Sequence, residues 1–186
     1  NCLSVSTTHG ATAYGSNTCS ANTTGENNNG FGYFTLNQVT TGSNNAGYGT
    51  VAGRYITTGV SNSCFGISSG GAITTGNYNT AIGMNAGFRN QTGDSNTFIG
   101  NTAGYECQSG HSNTAVGKSA FGFGSSTNTA NGSKNVAIGM QSLFRITTGY
   151  DNSVLGYQAG INITSGHDNT LIGYGAGDGV TTSSNN

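Results

Sequence analysis

The sequence predicts an all-β chain that folds as a parallel β-solenoid, or β-roll, of about ten coils. Three observations support this fold class. A unit of seventeen residues recurs along the chain, every unit has Gly at its fifth position, and every unit has a large apolar residue at its fourth. Glycine corners at fixed intervals leave segments that are too short for helices but suit two short strands per unit, broken at Gly.

The repeat is clearest in two consecutive stretches, 79–95 (NTAIGMNAGFRNQTGDS) and 96–112 (NTFIGNTAGYECQSGHS). The same frame runs through one repeat domain, 1–186, in which 1–10 matches the tail of a further unit. One unit is 22 residues long, which places a five-residue insertion within 121–130. The units begin at Ala11, Asn28, Asn45, Asn62, Asn79, Asn96, Asn113, Asn135, Asn152 and Asn169.

Two columns of the repeat are nearly invariant. Stacked coils would place equivalent residues about 4.8 Å apart, so ten coils give a rod of roughly 48 Å. We expect the position-1 column to form an amide ladder: Asn28, Asn45, Asn62, Asn79, Asn96, Asn113, Asn135, Asn152 and Asn169. We expect the position-5 column to form the corners: Gly15, Gly32, Gly49, Gly66, Gly83, Gly100, Gly117, Gly139, Gly156 and Gly173.

Positions 3 and 4 are both mostly apolar, and they point to opposite faces of a strand. We expect position 4, as in Ile82, to fill the coil together with apolar residues at position 12 and small residues at position 8. Position 3, as in Ala81, would then lie outside and need cover. An oligomer interface, such as a three-fold bundle of rods, explains this; a corner at which both residues turn inward is the alternative.

Composition excludes several function classes. Gly, Thr, Asn and Ser make up 106 of 186 residues, charged residues are only 6%, and there is no Pro or Trp. Five Lys and Arg residues do not make a nucleic-acid footprint, and no apolar run suits a membrane span.

The chain begins within a unit and ends one residue after a complete one, which is typical of a piece of a longer shaft or of end-to-end stacking.

The unit N-T-A-I-G-x-x-A-G-x-x-x-T-T-G resembles repeats of trimeric autotransporter adhesin heads and of phage and giant-virus fibres. The matching segments are 79–83, 96–100, 135–139 and 169–173, whereas the N-terminal units drift. The resemblance implies a left-handed, trimeric β-roll on a cell or virion surface. The usual adhesin repeat is shorter than seventeen residues, so the coil cross-section is expected to differ.

Cysteine spacing suggests one disulfide. Cys2 and Cys19 are seventeen residues apart, so adjacent coils would bring them within bridging distance and indicate an oxidising compartment. Cys64 and Cys107 are expected to be buried free thiols, and no Cys or His pattern predicts zinc.

The polar corner at position 16 holds His111 and His167, and Asp94, Asp151 and Asp168 lie at the same corner. We interpret these residues, like His9, as solvated rather than metal-binding. Arg89 and Glu106 occupy position 11 of consecutive units and are expected to pair.

No arrangement of residues predicts catalysis, so the sequence indicates a protein that is not an enzyme and that needs no cofactor or metal. The favoured function is a structural and adhesive segment of an extracellular or virion-surface fibre. Its expected partners are further copies of itself, as a homotrimer or end to end, and a host-surface glycan or protein. The insertion, with Phe121 and Phe123, is either a contact loop or a tolerated bulge.

Two alternative functions remain from the sequence: a self-stacking filament and an ice-binding solenoid. Ice binding is suggested by recurrent Thr-Thr pairs before the Gly at position 15. However, adjacent residues alternate on a strand, so each pair supplies one outward rank. The pairs begin at Thr23, Thr40, Thr57, Thr74, Thr147 and Thr181.

Overall fold

A computed structural model describes residues 10–122 and 129–186, and within these ranges the chain is a parallel β-solenoid. Ten three-residue strands form one parallel sheet in sequential order, β1 to β10. Each strand pairs with the equivalent residues one unit later; Thr80 lies opposite Thr97, for example. The 22-residue unit keeps the same register, because Thr114 lies opposite Val136.

Each of the ten units forms one strand, at positions 2–4, and turns and bends connect the strands in the described residues, so the prediction of two short strands per unit was wrong. No helix in those residues is long and apolar enough to cross a membrane. The strands are β1 Thr12–Tyr14, β2 Asn29–Phe31, β3 Ala46–Tyr48, β4 Ser63–Phe65, β5 Thr80–Ile82, β6 Thr97–Ile99, β7 Thr114–Val116, β8 Val136–Ile138, β9 Ser153–Leu155 and β10 Thr170–Ile172.

The strands bury the opposite side from the one that the sequence predicted. Position 3 points inward in all ten strands, while positions 2 and 4 point outward. Ala81 and Phe98 are therefore core residues, and Ile82 is 40% exposed. The prediction that position 4 fills the coil and position 3 lies outside was wrong, and so was the alternative in which both turn inward.

The core is built from positions 3, 8, 9 and 12, and its volumes compensate between columns. Phe98 fits at position 3 because position 9 is glycine in its own coil and in the previous one. A Cβ on Gly104 would overlap the Phe98 ring, and one on Gly87 would lie 2.7 Å from that ring. Conversely, Leu36 at position 9 faces a glycine at position 3, Gly47, whose Cβ would lie 3.0 Å from the Leu36 side chain. This exchange of volume explains why the N-terminal units depart from the consensus.

The two glycine columns have different physical causes. At position 5, Gly83 has a φ of 125°, and a Cβ there would lie 2.7 Å from the carbonyl of Gly100. Only glycine combines that torsion with so close an approach. At position 15 the close approach of the next coil is by itself enough to exclude a side chain, since a Cβ on Gly76 would lie 2.5 Å from the carbonyl oxygen of Gly93.

Candidate functional site

The most distinctive surface is the outer side of the sheet, which we call the strand face and define as positions 2 and 4 of β1 to β10. Its position-4 column is apolar along the whole sheet and contains no charged residue, and neither does position 2. Exposure is 56% at Tyr14, 36% at Ile99 and 47% at Leu155. The position-4 residues are Tyr14, Phe31, Tyr48, Phe65, Ile82, Ile99, Val116, Ile138, Leu155 and Ile172.

The strand face changes from aromatic to aliphatic along its length. Phe31, Tyr48 and Phe65 stack with centroids 4.8 Å apart and planes within 9° of parallel, and Tyr14 continues the stack at 6.5 Å. Rings stacked along the sheet present their edges to solvent rather than their faces. From Ile82 onward the column is aliphatic. The whole column is therefore suited to packing against another apolar surface.

Flanking residues at position 6 widen this apolar surface. Met84 is 48% exposed and Tyr174 is 80% exposed. Lys118 is the one charge in the position-6 column. The apolar members of the column are Tyr33, Ile67, Met84, Met140, Tyr157 and Tyr174.

The amide ladder holds the coils in register beneath these surfaces. The side chain of Asn79 donates to Asn62 Oδ1 at 3.1 Å and to the Gly93 carbonyl at 2.8 Å. Its backbone N–H also donates to Asn62 Oδ1, at 3.0 Å. The same bonds recur from coil to coil, and all nine asparagines are buried. Each amide thus closes its own coil and joins it to the previous one, as the sequence predicted.

The position-16 corner forms a second ladder, in which a side chain accepts a hydrogen bond from the backbone of the preceding coil. Asn77 N–H donates to Asp94 Oδ1 at 2.7 Å, and Asp94 N–H donates to His111 Nδ1 at 3.0 Å. The His167 ring stacks on Tyr150, with centroids 4.6 Å apart. These contacts give His111 and His167 structural partners. The described residues contain no group of three or more candidate metal ligands, and His9 lies outside them.

The predicted ion pair is present. Arg89 Nη1 donates to Glu106 Oε2 at 2.9 Å, with the Glu106 side chain nearly buried and the Arg89 side chain partly exposed. The Arg89 guanidinium also lies 5.8 Å from the Tyr105 ring centroid. The two residues therefore join consecutive coils at position 11.

A second arginine has a different environment, which the sequence analysis missed. The Arg54 guanidinium lies 4.8 Å from the ring centroid of Phe34 and 5.0 Å from that of Tyr55. Tyr33 packs edge-on against Phe34, with centroids 4.5 Å apart. We call these four residues the Arg54 cluster. The signal was present in the repeat, because position 7 is aromatic only at Phe34 among the ten units.

The threonine pairs lie outside the strands and neither residue of a pair is buried, so the prediction of a single outward rank from strand alternation was wrong. At position 13, the Thr57 hydroxyl donates to the Thr74 carbonyl at 3.2 Å, and Thr74 donates to the Gln91 carbonyl at 3.0 Å. At position 14, Thr58 and Thr75 are exposed. The position-13 hydroxyls are thus engaged within the ladder, and ice binding stays a prediction.

The structure describes three of the four cysteines. Cys64 and Cys107 are buried free thiols, as expected, and burial raises the pKa of each to about 12. Cys19 also carries a free, buried thiol, whose pKa burial raises to about 11. Cys2 lies outside the described residues, and so does the predicted bridge.

The structure corrects the predicted role of Phe121, which the sequence placed at the insertion. Phe121 is completely buried and stacks on Phe98, with centroids 6.4 Å apart. It belongs to the core at position 9 and was wrongly assigned to a contact loop. Its backbone φ is positive, so a corner turns its side chain inward. Phe123 lies outside the described residues.

Comparison with family models, with curated proteins and with solved structures gave no match to this chain.

Proposed function

We propose that this chain is a structural and adhesive segment of a fibre on a cell or virion surface, outside the cell, and that its role is not catalytic. In this proposal, copies of the rod pack side by side through their strand faces. The observation that carries it is the continuous, charge-free apolar column at position 4. Contiguous exposed apolar surface of this kind is typical of protein–protein interfaces.

The dimensions of this surface support association between copies. Nine spacings of about 4.8 Å give a strand face about 43 Å long, and three residues give a width of about 10 Å. The position-6 residues from Ile67 to Tyr174 widen the face to about 16 Å over the last seven coils, so the footprint reaches roughly 600 Å² per chain, with Tyr33 outside it. Stable interfaces bury about 800 Å² per partner.

A three-fold bundle satisfies the geometry, because one face of each rod can then contact both neighbours around a closed axis. The interface is proposed at position 4, since position 3 is filled by the rod's own core. The resemblance of the N-T-A-I-G units to fibre repeats supports both the trimer and the surface location.

Light scattering over a range of protein concentrations tests the proposal. We expect a constant trimer mass for the wild type and dissociation to monomer when Ile99→Lys and Ile138→Lys are combined, because each buries a charge in the apolar interface. The matched control combines Thr75→Lys and Thr148→Lys, which add the same charges on the exposed position-14 column and should leave the trimer intact.

A monodisperse wild-type monomer would overturn the side-by-side association. Mass that grows with concentration, unaffected by the strand-face lysines, would show end-to-end stacking instead and would also contradict the proposal.

A further inference from the structure

The Arg54 cluster interrupts the repeat on the side of the rod next to the strand face. Phe34 and Tyr33 come from positions 7 and 6 of one coil, and Arg54 and Tyr55 come from positions 10 and 11 of the next. Tyr33 is 52% exposed and Tyr55 is 38% exposed. The cluster therefore places two accessible phenol rings beside a cation.

Phe34 adopts a backbone conformation that aromatic residues disfavour. Its φ is 52°, in the left-handed region, where a bulky residue is strained. Most other units have a small or polar residue at this corner, such as Asn85 and Ser119, and Val51 is the other apolar exception. Phe34 instead provides the ring over which the Arg54 guanidinium lies.

The Arg54 side chain forms no ion pair or hydrogen bond with any described residue, and its Nε–H is buried without an acceptor. Arg89, by contrast, donates to Glu106 at 2.9 Å. Glu26 is the one acidic residue before Asp94 in the sequence, and it lies at position 16, not beside the cluster. A guanidinium partly desolvated between two rings lacks the anionic acceptor that normally compensates for lost water.

We propose that the Arg54 cluster binds the carboxylate of an acidic sugar. The guanidinium would donate hydrogen bonds to the two carboxylate oxygens, the geometry for which arginine is best suited. The exposed rings of Tyr33 and Tyr55 would pack against the C–H groups of the sugar ring. A side-chain carboxylate of a peptide offers the anion without that apolar ring surface, so the observations favour the sugar.

This inference rests on the adhesive part of the proposed function. The test uses the full chain and two soluble probes, 3′-sialyllactose and a hyaluronan tetrasaccharide, with lactose as the neutral counterpart. Binding is measured by saturation-transfer NMR, and the Arg54 Nε–H resonance reports on the site directly. We expect both acidic probes to bind and to shift that resonance, and lactose to do neither.

The variant Arg54→Gln should weaken binding at least about tenfold, because hydrogen bonds to charged groups contribute about 1.5–3 kcal/mol. The matched control Arg145→Gln removes an exposed arginine at position 11 of another coil and should change affinity less than about twofold. If Arg54→Gln fails to fold, Tyr55→Ser provides the second variant, which removes a ring and keeps the cation.

Equal binding of lactose, or unchanged affinity in both Arg54→Gln and Tyr55→Ser, would overturn the proposal. Arg54-dependent binding of a polyglutamate peptide without binding of either sugar would overturn the sugar assignment in favour of a protein partner. Light scattering on the same samples separates these outcomes from failure of the fibre proposal, because the strand-face variants leave the Arg54 cluster unchanged.

Discussion

At the residue scale, ladders of short, hydrogen-bonded polar side chains join the coils of a rod that has few charged residues. The buried asparagines satisfy backbone groups in two coils at once, and the Asp94 and His111 side chains each accept a hydrogen bond from the backbone of the preceding coil. A buried donor or acceptor without a partner costs about 1–3 kcal/mol. The Asn column therefore tolerates little change, which explains why it is so regular.

The buried thiols lead to a pH prediction at this scale. The pKa of Cys107 is raised from 9.0 to about 12, so its contribution to stability is complete below pH 9 and is lost as pH rises from 9 towards 12. Within that interval the free energy of unfolding should fall by up to about 1.4 kcal/mol per pH unit from this group.

Urea unfolding at several pH values measures this slope. The Cys107→Val variant, which restores a residue common at position 12, should show a smaller alkaline loss than the wild type. Cys64 remains in both proteins and serves as the internal reference. Identical pH dependence of the unfolding free energy in the two proteins would contradict the raised pKa of Cys107.

At the scale of the element, each coil is fitted to its neighbours by exchange of volume between positions 3 and 9. Phe98 at position 3, for example, fits because position 9 is glycine at Gly87 and Gly104. Interiors packed to this density allow no independent change at either position. The coil sequence is therefore determined by pairs of positions and not by single columns.

The variant Gly104→Ala tests this coupling. Its Cβ would overlap the Phe98 ring, and the residue has a φ of 63°, so we expect destabilisation of about 2–4 kcal/mol. In a Phe98→Ala background the overlap is gone, and the same substitution should cost only the backbone strain, about 1 kcal/mol.

A double-mutant cycle by denaturant unfolding measures the difference. Phe98→Ala alone is expected to cost about 3–5 kcal/mol, since it opens a cavity in the core. Additive effects of the two substitutions would show that the columns do not compensate.

At the scale of the whole molecule, the solenoid is a one-dimensional stack whose core is divided. One apolar cluster contains Leu36, Ile56 and Ile73, and a second begins at Ala81 and extends to Leu171. Between them, position 12 is occupied by the buried Asn90, whose Nδ2 has no hydrogen-bond partner. Stability in such repeats depends on nearest-neighbour contacts, so a polar residue here weakens the coupling of the two halves.

The variant Asn90→Val should therefore stabilise the protein by about 1–3 kcal/mol and steepen its denaturant transition, because it joins the two clusters. In the wild type, Asn90 Oδ1 accepts a hydrogen bond from Gly93 N–H, and the loss of this bond in the variant reduces the gain in stability. Circular dichroism during urea unfolding measures both the midpoint and the slope.

Asn22→Val is the matched control, because Asn22 occupies position 12 of the first described coil and its Oδ1 also lacks a partner. It should raise stability without changing the slope. A lower midpoint for Asn90→Val would show that the bond to Gly93 outweighs the apolar contact.

The sequence by itself determined the coil length, the glycine corners, the amide ladder and the Arg89–Glu106 pair. Each of these follows from one residue type at a fixed interval, and stacking converts such an interval directly into a spatial neighbour. Gly83, Asn79 and Arg89 thus lie as the spacing predicted.

Only the tertiary structure decided which side of each strand faces inward, where Phe121 lies and what surrounds Arg54. Alternation shows that positions 3 and 4 point apart, but both columns are apolar, so the pattern alone does not say which is buried. The answer depends on the volumes that meet inside the coil, where Gly47 admits Leu36 and Gly104 admits Phe98. Because those contacts join positions 3 and 9 across a turn, no single column of the repeat contains them.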